Sequence, residues 1–124
     1  MNLEKLYLSE NSISNVESLL RAKFTRIKYL DFGRNKIGNE NIPYLLEMKS
    51  EQLEEINLYS NSSTDAKIFE LRNSHNLPNL KTFYIGNNKI DWTKGNFIDL
   101  KYNFKNWTTI GLTCGLFDVI QLKI

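Results

Sequence analysis

Two side chains in the sequence are of the kind that attack carbonyl carbons or carry protons: the single cysteine, Cys114, and the single histidine, His75. A nucleophile and its base must come within about 3 Å of each other. The sequence places them in different structural repeats, His75 within the return loop Asn73-Ser74-His75-Asn76 and Cys114 just past a strand. Catalysis is therefore not expected. One histidine with one cysteine is too few for a typical zinc site, and no glycine-rich phosphate cradle occurs, so neither metal nor nucleotide cofactor is expected. Adjacent Glu54 and Glu55 do not form an acid-base dyad, because neighbours on an extended segment point to opposite sides. The sequons Asn61-Ser62-Ser63 and Asn106-Trp107-Thr108 have the form of glycosylation acceptors, but Asn61 belongs to a structural series that leaves no room for a glycan.

That series is the main feature of the chain. One pattern recurs: aliphatic, two variable residues, aliphatic, one variable, aliphatic, two variable, Asn, one variable, aliphatic. The copies are Leu3/Leu6/Leu8/Asn11/Ile13, Ile27/Leu30/Phe32/Asn35/Ile37, Leu53/Ile56/Leu58/Asn61/Ser63 and Leu80/Phe83/Ile85/Asn88/Ile90. Their starts lie 24, 26 and 27 residues apart, and a further 27 residues lead to a degenerate copy, Trp107/Ile110/Leu112, with Gly115 in place of Asn.

Side chains alternate faces in an extended segment, so Leu6 and Leu8 point to one side while Lys5, Tyr7 and Ser9 point to the other. Stacked repeats would pair such segments into one parallel sheet. Asn11, Asn35, Asn61 and Asn88 sit where the chain leaves each strand, and an amide can both donate to and accept from main-chain groups that would otherwise be buried unpaired. A ladder is expected, each rung bonding its own turn and the next. The return segments read as helices. Ser14-Asn15-Val16-Glu17 is a capping-box sequence ahead of Val16, Leu19, Leu20 and Phe24. Asn39 or Asn41 is expected to cap a second helix with Pro43 in its first turn and Ile42, Leu45, Leu46 and Met48 inward. A third carries Ile68, Phe69 and Leu71 before Leu77-Pro78-Asn79, and a fourth Phe97, Leu100 and Phe104 after Asn96.

From residue 3 to about 115 this pattern resembles the leucine-rich-repeat family. Asn35-Lys36-Ile37-Gly38-Asn39-Glu40 with Ile42, Leu45, Leu46 and Met48 is similar to its ribonuclease-inhibitor-like class. The resemblance implies an α/β right-handed solenoid, or horseshoe, with a parallel β-sheet on the concave face and helices on the convex face. Residues 1–124 form one domain on this reading, about four regular repeats plus a degenerate repeat or cap over 107–124. The segment from Leu116 to Ile124 fits either a helical closing turn or a strand.

The resemblance also implies where function sits, since proteins of this family commonly bind other proteins on the concave sheet. Read across strands, its columns are Lys5, Tyr29, Glu55, Thr82 and Thr109; Tyr7, Asp31, Asn57, Tyr84 and Gly111; and Ser9, Gly33, Tyr59, Gly86 and Thr113. Four of the six tyrosines lie here, where no core demands them, and tyrosine is enriched at binding hot spots. The candidate partner-binding residues are thus Lys5, Tyr7, Ser9, Tyr29, Asp31, Glu55, Asn57, Tyr59, Thr82 and Tyr84. Gly33 and Gly86 are expected to open clefts beside Tyr59. Glu4, Lys28, Glu54 and Lys81 alternate in sign and are expected to pair laterally, with Glu10 and Arg34 at the rim.

The expected function is a protein-protein interaction module; the alternative is a recognition or regulatory segment of a larger multidomain protein, a sensor or a bacterial effector, whose activity lies elsewhere. With 16 basic and 14 acidic residues spread along the chain, no basic stripe marks a nucleic-acid partner. No apolar run reaches the roughly 20 residues of a membrane span. A lone cysteine and the absence of a signal-peptide pattern suggest an intracellular setting, or delivery into a host cell for an effector. The N-terminal edge beside Leu6 and Leu8 is expected to be covered by further repeats of a longer solenoid, with self-association through that edge as the next alternative and a partner as the third.

Overall fold

The computed structural model describes residues 2–22, 24–48, 50–64, 77–89, 109–111 and 119–121. Six short strands form one sheet in sequence order: β1 (Lys5–Tyr7), β2 (Tyr29–Asp31), β3 (Glu55–Asn57), β4 (Thr82–Tyr84), β5 (Thr109–Gly111) and β6 (Val119–Gln121). The first five run parallel, and the register follows the repeat, with Leu6, Leu30, Ile56, Phe83 and Ile110 aligned from strand to strand. The degenerate fifth copy therefore still supplies a strand. β6 is antiparallel to β5, with Ile120 opposite Ile110. Of the two conformations open to the C-terminal segment, Val119–Gln121 adopts the strand.

Alternation decides the core. Leu30, Phe32, Ile56, Leu58, Phe83 and Ile85 are essentially inaccessible, while the residues between them face outward. The pattern's first position is buried as well, in Ile27, Leu53 and Leu80. Each such side chain contributes roughly 1.5–3 kcal/mol by leaving water. In the third repeat Ser63 occupies an aliphatic position with no accessible surface, and its hydroxyl donates to the Ile37 carbonyl at 3.4 Å.

Behind the sheet lie α1 (Glu17–Arg21) and α2 (Ile42–Glu47), the latter preceded by a 3₁₀ turn at Asn39–Asn41. Isolated helices this short are not stable in water. They persist because Val16 and Leu20, and Ile42 and Leu45, pack into the same core, with Phe24 closing it and Leu19, Tyr44 and Met48 against its outer side. Glu17 and Arg21 add an i,i+4 ion pair at 3.1 Å across α1.

The helix starts differ from expectation. α1 begins at Glu17, and the side chain of Asn15, not Ser14, accepts the Glu17 N–H at 2.9 Å. Neither Asn39 nor Asn41 caps α2; both amides reach other repeats, as described below. The expected third and fourth return helices, with Ile68, Phe69, Leu71, Asn96, Phe97, Leu100 and Phe104, lie outside the described residues, as do His75, Ile90, Asn106, Trp107, Leu112, Thr113, Cys114 and Gly115.

Candidate functional site

The surface is fixed from below by its asparagines. Asn35 Oδ1 accepts the N–H groups of Asn11 (3.0 Å) and Ile13 (2.9 Å), while its Nδ2 donates to the carbonyls of Leu8 and Phe32, both at 2.9 Å. Asn61 repeats the arrangement one coil on, accepting from Ile37 at 2.8 Å and donating to Phe32 and Leu58 at 3.0 Å. Asn88 does so again, accepting from Ser63 at 3.1 Å and donating to Leu58 at 2.8 Å and Ile85 at 3.0 Å. The direction is the reverse of that expected: each side chain serves its own turn and the preceding one. Asn11, exposed at the first coil, bonds within its own turn to Leu8 and Ser9.

A second set of cross-repeat bonds stands at the return. Asn41 accepts the Val16 N–H and donates to the Ser14 carbonyl, both at 2.9 Å; Asn39 accepts the Thr64 N–H at 2.8 Å and donates to its hydroxyl at 2.9 Å. Side chains spent this way are not free to cap a helix.

The chain leaves each strand through a left-handed residue immediately before the ladder asparagine: Glu10, Arg34, Ser60 and Asn87, with φ between 51° and 58°. None is glycine, so each of the first three carries a conformational cost of about 1–2 kcal/mol. This conformation gives no periodic hydrophobic signal. Its only trace in the sequence is position, the residue next to the ladder Asn.

On the outward, concave face the rows fall as the spacing predicts, Lys5, Tyr29, Glu55 and Thr82 beside Tyr7, Asp31, Asn57 and Tyr84, and the strand register carries both rows on to Thr109 and Gly111. Tyr7 is the most open ring, 62% exposed. The Lys5 ammonium rests 5.1 Å from the centre of the Tyr29 ring. Arg34 lies 3.6 Å from the Glu10 carboxylate and 5.9 Å from the Tyr59 ring, so this rim pair steadies an aromatic of the face. Asp31 and Asn57 each turn one oxygen back to the strand exit, accepting the N–H groups of Gly33 and Tyr59 at 2.8 Å.

That arrangement removes one expected feature. A Cβ at Gly33 would meet Asp31 Oδ1 at 3.1 Å and the Asn57 amide at 3.3 Å, so the space over Gly33 is occupied by its neighbours' side chains and is no open cleft. Of the alternating charge column, only Lys81 and Glu54 come within ion-pair distance among the described residues, at 4.0 Å. Glu55, half-buried in the middle of the face, has its carboxyl pushed up by loss of hydration and then by the charge of Asp31. Burial, and after it Glu55, raises the Tyr84 hydroxyl. Among the described residues no three His, Cys, Asp or Glu side chains gather to hold a metal ion, and no helix is long and apolar enough to cross a membrane.

Residues 2–45 match the family described as leucine rich repeats (2 copies). A search of curated proteins finds no significant match. Among solved structures, the chain is similar to a tropomodulin C-terminal domain from Caenorhabditis elegans, with a TM-score of 0.77 and 16% identity over 93% of this chain and 76% of that one. It is also similar to leiomodin-1 actin-binding site 2, with a TM-score of 0.73 and 15% identity over 90% of this chain and 71% of that one. At such identities the likeness is one of fold. The family match over residues 2–45 and the two neighbours agree on one architecture, and the described residues of this chain have the fold of a leucine-rich-repeat solenoid.

Proposed function

We propose that this chain is a non-catalytic protein-binding module that holds a protein partner against the concave face of its sheet. The observation that carries the reading is the placement of Tyr7, Tyr29, Tyr59 and Tyr84 on the outward side of consecutive coils, while the core cluster is completed without any of them. Large rings that can bury area and donate a hydrogen bond suit a contact surface. The ladder fixes their spacing, so little order has to be imposed on binding.

A solved neighbour supports a protein as the partner, since its title describes an actin-binding site in leiomodin-1. Actin is accordingly the first partner to try. The same title, with that of the tropomodulin C-terminal domain, describes a part of a protein, which favours the second reading, a recognition segment serving a larger molecule. An intracellular setting belongs to both readings.

The test is an affinity purification with the chain and with its Tyr7→Ala/Tyr59→Ala/Tyr84→Ala variant, accompanied by actin co-sedimentation. A captured protein lost by a variant that still melts cooperatively supports the concave surface. A partner retained by the triple variant moves the site elsewhere.

A further inference from the structure

We infer that the partner is a polypeptide segment that presents an arginine or lysine side chain to the middle of the sheet, between Asp31 and Glu55. The inference rests on the concave surface proposed above and names the chemistry that this surface selects.

The register puts Glu55 between Tyr29 and Thr82 in one row, and Asp31 and Tyr84 on either side of Asn57 in the next. Glu55 is thus diagonal to both Asp31 and Tyr84. Two carboxylates lie diagonally on adjacent strands of a half-buried face, where lost hydration and then the charge of Asp31 disfavour the ionised form of Glu55. Among the described residues neither has a cation: the ion pairs are Arg21 with Glu17, Arg34 with Glu10 and Lys81 with Glu54. The basic groups nearest along the face are already placed, Lys5 over the Tyr29 ring and Arg34 between Glu10 and Tyr59.

An arrangement that costs stability and finds no compensating cation among the described residues is the kind of local conflict found at binding sites. The missing group is a cation, and the surroundings suit one on a side chain. A guanidinium can take a carboxylate through two parallel hydrogen bonds, and the rings of Tyr29 and Tyr84 offer π-faces beside it. Among the described residues neither oxygen of Glu55 accepts a hydrogen bond, and Asp31 keeps one oxygen open, its Oδ1 being held by Gly33 N–H. A phosphate-rich or acidic partner would meet repulsion at the same place.

The experiment is selection of a random linear peptide library on the immobilised full chain, in parallel with an Asp31→Asn/Glu55→Gln variant and the tyrosine triple variant. Asparagine at position 31 retains the oxygen that Gly33 N–H uses, so the turn is kept while the charge is lost. The expected result is enrichment of arginine or lysine at one position on the wild-type chain. That preference should vanish on the charge variant, with a selected peptide bound about tenfold more weakly. Binding to the wild type should weaken as salt rises.

Peptides without a basic preference, lost on the tyrosine variant, would overturn this inference and leave the concave surface standing. A basic preference that the charge variant keeps would overturn the inference too. Peptides held equally by the tyrosine variant would overturn the concave surface itself, and a library yielding no enrichment would count against both.

Discussion

The first and second coils are written in nearly the same residues, Leu3/Leu6/Leu8/Asn11/Ile13 against Ile27/Leu30/Phe32/Asn35/Ile37, yet they live in different solvents. Ile27, Leu30, Phe32 and Ile37 are at most 1% exposed, whereas Leu3 is 36% exposed and Leu6, Leu8 and Ile13 are only partly buried. Asn35 bonds two coils; Asn11 bonds one. The motif alone does not make a hydrophobic core. Burial comes from a coil on each side, and the same letter carries a different energy according to its neighbours.

The sharpest way to break this comparison is to cut matching side chains. Leu30→Ala is expected to cost about 3–4 kcal/mol, and Leu6→Ala on the partly open first coil about half of that, read from urea denaturation midpoints at constant slope. Equal losses at the two positions would show that the first coil is as enclosed as the second. Next comes the amide. Asn35→Ala leaves the Asn11 and Ile13 N–H groups and the Leu8 and Phe32 carbonyls without that partner and should cost about 2–4 kcal/mol, against less than about 1 kcal/mol for Asn11→Ala. Smaller and opposite in sign is Ser60→Asn, where a residue that tolerates the left-handed conformation, and whose side-chain oxygen offers the Asn87 amide an acceptor in place of the Ser60 hydroxyl, should raise stability by about 0.5 kcal/mol.

The smallest effect concerns Glu55, whose counterpart in the first coil is Lys5. Its carboxyl is raised in the folded chain by burial and by Asp31, with Tyr29, Thr82 and Tyr84 as its other neighbours on the face. A raised carboxyl means that the folded form binds the proton more tightly, so the ionised group costs stability at neutral pH. The cost is relieved as pH falls through the folded-state value. Glu55→Gln should therefore melt slightly above wild type at pH 7, by less than about 0.5 kcal/mol for so exposed a group, and the two curves should meet below about pH 4. A variant less stable at pH 7 would assign Glu55 a stabilising partner.

Strand positions and register were legible because they depend on a period, and aliphatic residues keep that period through unequal spacings of 24, 26 and 27. Even Gly111, in the degenerate copy, falls opposite Tyr84. Contacts between coils were not legible. Asn39 and Asn41 look like local caps, but the N–H groups that they accept belong to Thr64 and Val16, 25 residues away in either direction. Local sequence shows which side chain can accept a hydrogen bond, and not which neighbouring coil will bring a donor within reach. The space over Gly33 differs from expectation for a related reason: the missing Cβ makes room, and Asp31 and Asn57 fold back into it. The tyrosines of the face follow from spacing, whereas the lack of a cation beside Asp31 and Glu55 among the described residues depends on where Lys5 and Arg34 settle, which no local pattern encodes.

Because each ladder amide repairs the coil before it, damage in this molecule has a direction. Loss of the Asn61 side chain would first loosen Ile37 and Phe32, upstream of the lesion, as well as its own exit from β3. Fraying would then spread toward the N-terminus as in a zip with one-sided teeth, and faster amide exchange at Ile37 than at Ser63 would record it.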